Sequence, residues 1–334
     1  MHNFSVKMPE YTDDEIKRID SLGINFNNFY NLPEEYSAYE NSRFVVFTVP
    51  YEKTTSYRRG TAGGPQAIIH ASHQIELHDV EIGSEPFRAG IHTDPDFLLH
   101  LTDPEKISSQ PFAETHKALV SKIKKTLTDG KIPVVIGGEH TISIIPIEAA
   151  ATLYPDLTVV QFDAHADLRS GYEGNPYSHA CFMRRVLEST HPPRKVIQLS
   201  VRSICPEEMR FARDSGKITV FMAKDISTGS VTTEQILKHI TGKVYITIDM
   251  DTFDPSEVPA VGTPEPGGLR WNHVADTLAA VADTAEIIGF DVVELAPLQD
   301  SVASQFLAAK LIYRIMGLIA DRHQALGKMR NAEC

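Results

Sequence analysis

From Arg43 onward, short runs of β-branched and aromatic residues alternate with stretches of helical spacing, and this alternation limits the folds open to the chain. The runs fall at Phe44–Val49, Phe87–His92, Ile132–Ile136, Thr158–Phe162, Lys195–Val201, Lys217–Phe221, Val244–Ile248 and Glu286–Val293. Helical stretches fall at Pro65–Gln74, Pro111–Leu127, Thr141–Leu153, Cys181–Glu188, Thr232–Ile240, Asn272–Ala282 and Ser301–Ala320. Strand–helix–strand repetition predicts an α/β fold, a parallel sheet with helices on both faces. Val134–Ile136 and Val159–Val160 are apolar on both faces, as strands buried between two helix layers must be. No linker or repeat divides the pattern, so residues 41–334 read as one domain. Residues 1–40 read as an N-terminal extension, with a short helix predicted over Thr12–Leu22 from the capping-box spacing of Thr12 and Glu15.

Charge narrows the partners. The 334 residues carry 32 basic and 44 acidic side chains, a formal net charge of -12. That balance opposes nucleic acid or an anionic membrane surface and suits a cationic small molecule. Cys181, Cys205 and Cys334 form neither a disulfide framework nor a C-x-x-C pair, which points to a reducing compartment, the cytoplasm. The first ten residues lack the apolar core of a signal peptide. No run of eighteen apolar residues predicts a membrane span.

Ligands of parallel α/β sheets sit beyond the carboxyl ends of the strands, and three strands end in metal-ligating residues. Gly137-Gly138-Glu139-His140 follows Ile132–Ile136. Asp163-Ala164-His165-Ala166-Asp167 follows Thr158–Phe162, and extended backbone would point residues i, i+2 and i+4 the same way. Asp249-Met250-Asp251 follows Val244–Ile248 with the same period. Two imidazoles and four carboxylates result. Like charges ~4 Å apart repel by roughly 4 kcal/mol even at an effective dielectric near 20, so four converging aspartates need compensating cations, and two divalent ions supply them. Oxygen and imidazole donors without thiolate favour manganese, while Zn, Co, Ni and Fe stay open. Two ions sharing a water make hydroxide available near neutral pH, which suits a planar carbon or a phosphoester equally.

Together with Ser56-Tyr57-Arg58-Arg59-Gly60-Thr61, Gly64-Pro65-Gln66-Ala67-Ile68, Gly262-Thr263-Pro264-Glu265-Pro266-Gly267-Gly268 and Val293-Glu294-Leu295-Ala296-Pro297, these groups make the chain resemble the ureohydrolase family of arginases, agmatinases and guanidino-acid hydrolases. The resemblance implies a three-layer α/β/α fold around an eight-stranded parallel sheet. It further implies two manganese ions per chain, one held by His140 and Asp167, the other by His165 and Asp251, with Asp163 and Asp249 bridging. Glu294 would contact the substrate guanidinium, and His179 would shuttle a proton to the leaving amine. A homo-oligomer, trimer or hexamer, is implied by the same resemblance.

The loop Gly171-Tyr172-Glu173-Gly174-Asn175-Pro176-Tyr177-Ser178-His179-Ala180 departs from the Ser-Gly-Asn-x-His-Gly run of arginases. It looks like the agmatinase-like version, which makes agmatine the expected substrate and putrescine plus urea the products. Arginine and guanidino acids such as guanidinobutyrate are the alternatives, and Glu173 is a candidate partner for the terminal ammonium of agmatine. A one-zinc deacetylase on the same fold would carry a His-His pair, and the chain has none; a non-catalytic member would have lost a ligand, and none is lost.

Overall fold

The computed structural model describes residues 28–98 and 112–332, with side chains in the final helix through residue 322. The helix expected over Thr12–Leu22 and the terminal Cys334 lie outside the described residues. Eight strands form one sheet: β1 Phe44–Val49, β2 Ile91–Thr93, β3 Ile132–Gly137, β4 Thr158–Phe162, β5 Lys195–Val201, β6 Ile218–Met222, β7 Lys243–Asp249 and β8 Glu286–Val293. Their order is β2-β1-β3-β8-β7-β4-β5-β6, and every pairing is parallel. The longer helices are α1 Gly64–Ser72, α2 Phe112–Thr128, α3 Ile144–Leu153, α4 Phe182–Leu187, α5 Pro206–Ser215, α6 Trp271–Thr284 and α7 Ala303–Ala332.

Alternation along the strands sorts the core into two layers. Val46, Val134, Val160, Ile246 and Phe290 pack with Ile68 of α1, Leu278 of α6 and Ile312 of α7 on one face. Val45, Val135, Val159, Tyr245 and Ile288 pack with Ile123 of α2, Ile147 of α3 and Phe182 of α4 on the other. This is the three-layer α/β/α arrangement the sequence predicts. Each fully buried aliphatic or aromatic side chain contributes about 1.5–3 kcal/mol, so the strands' double-sided apolarity drives both helix layers onto the sheet.

Two local expectations need correction. The strand expected at Phe87–His92 is only Ile91–Thr93. Pro86–Ala89 instead forms a 3₁₀ turn that ends at Gly90 with φ 77°. A Cβ there would stand 2.5 Å from the Asn41 carbonyl oxygen, so the crossing of backbones, and not strand propensity, decides this stretch. The helix at Pro206–Ser215 was missed, because only its buried Glu208 and Ala212 mark an inner face. Within α7, Ala303–Arg322 is long and apolar enough to cross a membrane, but 72% of its apolar window is buried in the protein, as in a core helix. Within the N-terminal forty residues, residues 28–32 pack inward: Phe29 and Leu32 are buried, and Tyr30 stacks on Tyr313 of α7 at 4.0 Å.

Among the polar side chains wholly buried within the strands are Gln161 in β4, Gln198 in β5, Thr247 in β7 and Asp291 in β8. Buried polar groups need partners, and these four pair with one another and with groups just beyond the strands' carboxyl ends.

Candidate metal centre

The neighbouring central strands β3, β8, β7 and β4 end side by side, and their ends carry His140, Glu294, Asp249 with Asp251, and Asp163 with His165 and Asp167. Gly138 lets β3 turn under the loop after β1, since a Cβ at this position would fall 2.1 Å from the Tyr51 carbonyl oxygen. Asp167 and Glu294 both have left-handed backbone, φ 52° and 65°. Non-glycine residues adopt that conformation at a cost, and such strain gathers at functional sites.

His140, Asp163 and Asp167 form one group able to hold a metal ion, and Asp163, His165 and Asp251 form a second that shares Asp163. His140 Nδ1 lies 3.1 Å from Asp163 Oδ2, 3.4 Å from Asp167 Oδ2 and 3.3 Å from Asp249 Oδ2. His165 Nδ1 lies 2.9 Å from Asp251 Oδ2 and 3.6 Å from Asp163 Oδ1. Donors bound about 2.1–2.3 Å from one ion and at right angles to each other stand about 3 Å apart, which is close to these spacings. Asp163, His165 and Asp167 do not simply line one edge of an extended chain. The left-handed turn at Asp167 sends it to the His140 group while His165 joins Asp251, so the two flank Asp163.

The groups behind these ligands support the metal reading. Thr247 Oγ1 lies 2.6 Å from Asp291 Oδ1 and 2.9 Å from His140 Nε2. A hydroxyl has one hydrogen; the carboxylate takes it, so His140 Nε2 must donate to the hydroxyl. That leaves a lone pair on Nδ1, a buried atom without a hydrogen-bond partner among three carboxylate oxygens. Such an arrangement is repulsive unless a cation lies between them. Gln161 Nε2 donates to Asp163 Oδ2 at 2.8 Å, and Gln198 Nε2 to Gln161 Oε1 at 2.8 Å, so the paired amides fix the shared carboxylate. Asp249 Oδ1 accepts the Asp251 backbone N–H at 2.8 Å, and Asp251 Oδ1 the Ala164 N–H at 3.0 Å.

Electrostatics point the same way. Burial, followed by the charge of Asp163, raises Asp167 well above the usual carboxylate range; burial with Asp251 and Asp163 does so for Asp249. Burial disfavours charge on His140, but Asp163 and Asp167 beside it bring it up to about 9. Without ions, protons neutralise the cluster.

The pocket above the aspartates is lined by His165, Asp167, Asp249, Asp251, His179 and Glu294, with Tyr57, Arg58, Arg169 and Tyr172 among its other walls. Glu294 Oε1 accepts the His140 backbone N–H at 2.6 Å. Burial, with Asp249 and Glu139 near, raises Glu294 well above its ordinary range. Burial and the imidazole of His165 push His179 down to about 4, so it is neutral at pH 7. Arg58 donates to the carbonyls of Val261, Ala296 and Pro297, which ties the loop after β1 to the loops beside the pocket. Glu173 is not brought in with the others: it is exposed on the turn bridged by Tyr172 and Asn175, outside the pocket lining. The supporting Gln161, Gln198, Thr247 and Asp291 went unread in the sequence, although a polar residue inside an apolar strand was their visible signal.

The family model described as "Arginase family" matches residues 42–317. Over 301 residues the chain is 40% identical to an N(1)-aminopropylagmatine ureohydrolase of Synechocystis sp., covering 87% of this chain and 95% of that one. It is 33% identical to an agmatinase of Halalkalibacterium halodurans, over 84% of this chain and 93% of that one. The crystal structure of agmatine ureohydrolase of Thermoplasma volcanium matches with a TM-score of 0.75 at 29% identity, covering 93% of this chain and 99% of the other.

Proposed function

The chain belongs to the arginase family and is a ureohydrolase, a hydrolase of C–N bonds; from that premise we propose that it binds two manganese ions and releases urea from agmatine or from agmatine lengthened at its amine end. The observation that carries this reading is the pair of ligand groups sharing Asp163 beneath a pocket that also holds Glu294 and His179. His140 and Asp167 would hold one ion, His165 and Asp251 the other, with Asp163 and Asp249 shared. When bound, the ions supply Lewis acidity and an activated water near neutral pH.

The chain's own residues do the rest. Glu294, with one oxygen held by the His140 N–H, has its other oxygen to accept from the substrate guanidinium, a planar donor that suits a carboxylate. His179, neutral at rest, carries a proton to the departing amine nitrogen. Water adds to the guanidinium carbon, the C–N bond to the alkyl chain breaks, and urea and the amine leave. The lengthened substrate enters because the relative at 40% identity is named for aminopropylagmatine. We further propose a homo-oligomer working in the cytoplasm, where free Cys181 and Cys205 stay reduced.

Urea release with added manganese, assayed against agmatine, N1-aminopropylagmatine, arginine, guanidinobutyrate and guanidinopropionate, tests the substrate. Higher kcat/KM for the first two is expected. A preference for arginine or a guanidino acid overturns the assignment, and light scattering of the same preparation reads the oligomer.

A further inference from the structure

Glu139 separates the Gly-Gly turn from the ligand His140, and nothing in the chemistry above uses it. Its carboxylate is completely buried and receives four donors. Oε2 accepts the backbone N–H groups of Lys53 and Thr54, both at 2.6 Å. Oε1 accepts the hydroxyls of Thr54 and Thr141, both at 2.8 Å. Four donors fill the lone-pair positions of an ionised carboxylate. The single hydrogen of the Thr54 hydroxyl is therefore committed to Glu139.

The same Thr54 oxygen faces His179 twice. It accepts the His179 backbone N–H at 2.9 Å and lies 3.2 Å from the ring Nδ1. With its own hydrogen spent, Thr54 Oγ1 can only accept from Nδ1. A lone pair on Nδ1 would meet a lone pair on the hydroxyl, backed by a carboxylate. Ser178 Oγ, at 3.4 Å from Nδ1, is the more distant neighbour. The neutral imidazole has one N–H, so holding it on Nδ1 leaves the lone pair on Nε2.

We propose that Glu139 and Thr54 are positioning residues that fix His179 in its Nδ1–H form, so that the proton is taken up and given away only at Nε2. Nε2 takes a proton from water and gives it to the departing amine nitrogen, and the ring returns neutral with its hydrogen still on Nδ1. The inference rests on the reading of His179 as the proton carrier. The arrangement repeats that behind His140, where Asp291 and Thr247 fix the other tautomer, Nε2–H, and leave Nδ1 free for an ion. Two carboxylate–threonine–histidine chains thus present opposite ring nitrogens, one to a metal and one to a proton.

The test is the Thr54→Val substitution in the manganese-loaded enzyme, with Thr54→Ala as the variant that remains if valine impairs folding. Loss of one charge-backed hydrogen bond should lower kcat about fivefold or more, with KM and bound manganese per chain unchanged and a larger solvent deuterium isotope effect on kcat. Thr54→Ser should recover most of the loss. In a His179→Gln background, Thr54→Val should cost nothing further. Solid-state ¹⁵N spectra of histidine-labelled protein should show the His179 signal, identified by its disappearance in His179→Gln, in the Nδ1–H form. Full kcat in both Thr54→Val and Thr54→Ala overturns the proposal. So does an equal loss in the serine variant, a repeated loss in the His179→Gln background, or an Nε2–H signal. Full kcat in His179→Gln itself would instead overturn the proton-carrier reading on which the inference stands.

Discussion

Glu294 is 7% exposed and faces a conflict of its own: burial, Asp249 and Glu139 raise its proton affinity, while a single backbone N–H satisfies one of its oxygens. A cation beside it resolves the conflict, and a guanidinium brings both the charge and the donors. Hydrogen bonds to charged groups contribute about 1.5–3 kcal/mol. Glu294→Gln, which keeps an acceptor for the His140 N–H, should therefore lower kcat/KM for agmatine by about tenfold or more while retaining both ions. Glu173 provides the contrast. Exposed on its turn and outside the pocket lining, it should give no change in KM when replaced by Gln. Steady-state urea release from the two variants checks both outcomes. A raised KM in Glu173→Gln would restore its role as partner of the substrate ammonium.

At the scale of elements, helix α7 is fastened to the loop before β2 by a buried charge pair. Arg314 Nε and Nη2 each donate to Asp79 at 2.8 Å, Arg314 Nη1 also meets Glu81, and Lys310 Nζ lies 3.6 Å from Asp79. Asp79 is fully buried and Arg314 3% exposed. Removing one partner of a buried pair leaves an uncompensated charge and costs about 3–5 kcal/mol. Arg314→Met should lower stability to denaturant by about 3 kcal/mol at pH 7. Burial pushes Asp79 up, but Arg314 and Lys310 outweigh it and hold the carboxyl below its ordinary value. The stabilisation is thus complete above the unfolded-chain value near pH 4 and fades as pH falls through the folded one. The gap between parent and variant should accordingly narrow in acid, as denaturation at pH 7 and pH 3 would show. The sequence revealed the central strands, because apolarity on both faces marks a strand buried between two helix layers, but it misplaced β2, where a backbone crossing decides. It did not reveal the pair itself, which joins residues 235 apart along the chain. The same contrast runs through the site. The candidate ligands stand at strand ends, where the sequence marks them, whereas Thr54 with Glu139 and Thr247 with Asp291 meet only after distant segments have packed.

For the whole molecule, folding brings four carboxylates and two imidazoles to the ends of neighbouring strands and shuts most of them away from water. The helix layers provide the means: their apolar burial outweighs the unfavourable electrostatics of one small polar cluster at the sheet's end. In the ion-free protein protons meet the charge, since Asp167 and Asp249 sit well above the carboxylate range and His140 rises to about 9. Groups whose folded values are raised contribute stability that is present at low pH and lost as pH rises through those values. Ions that bind only the folded chain act in the opposite sense, displacing the protons and binding better as pH rises. At a hundredfold excess over its dissociation constant, each ion should stabilise the fold by about 2.7 kcal/mol. Calorimetric titration of manganese into chelator-stripped protein, in buffers of different ionisation enthalpy, should show protons released on binding. The manganese-induced rise in melting temperature should be larger at pH 8 than at pH 6. Binding without proton release, and an equal rise at both pH values, would mean that the carboxylate cluster is not where the ions bind, and the division of ligands between the two ions would fall with it.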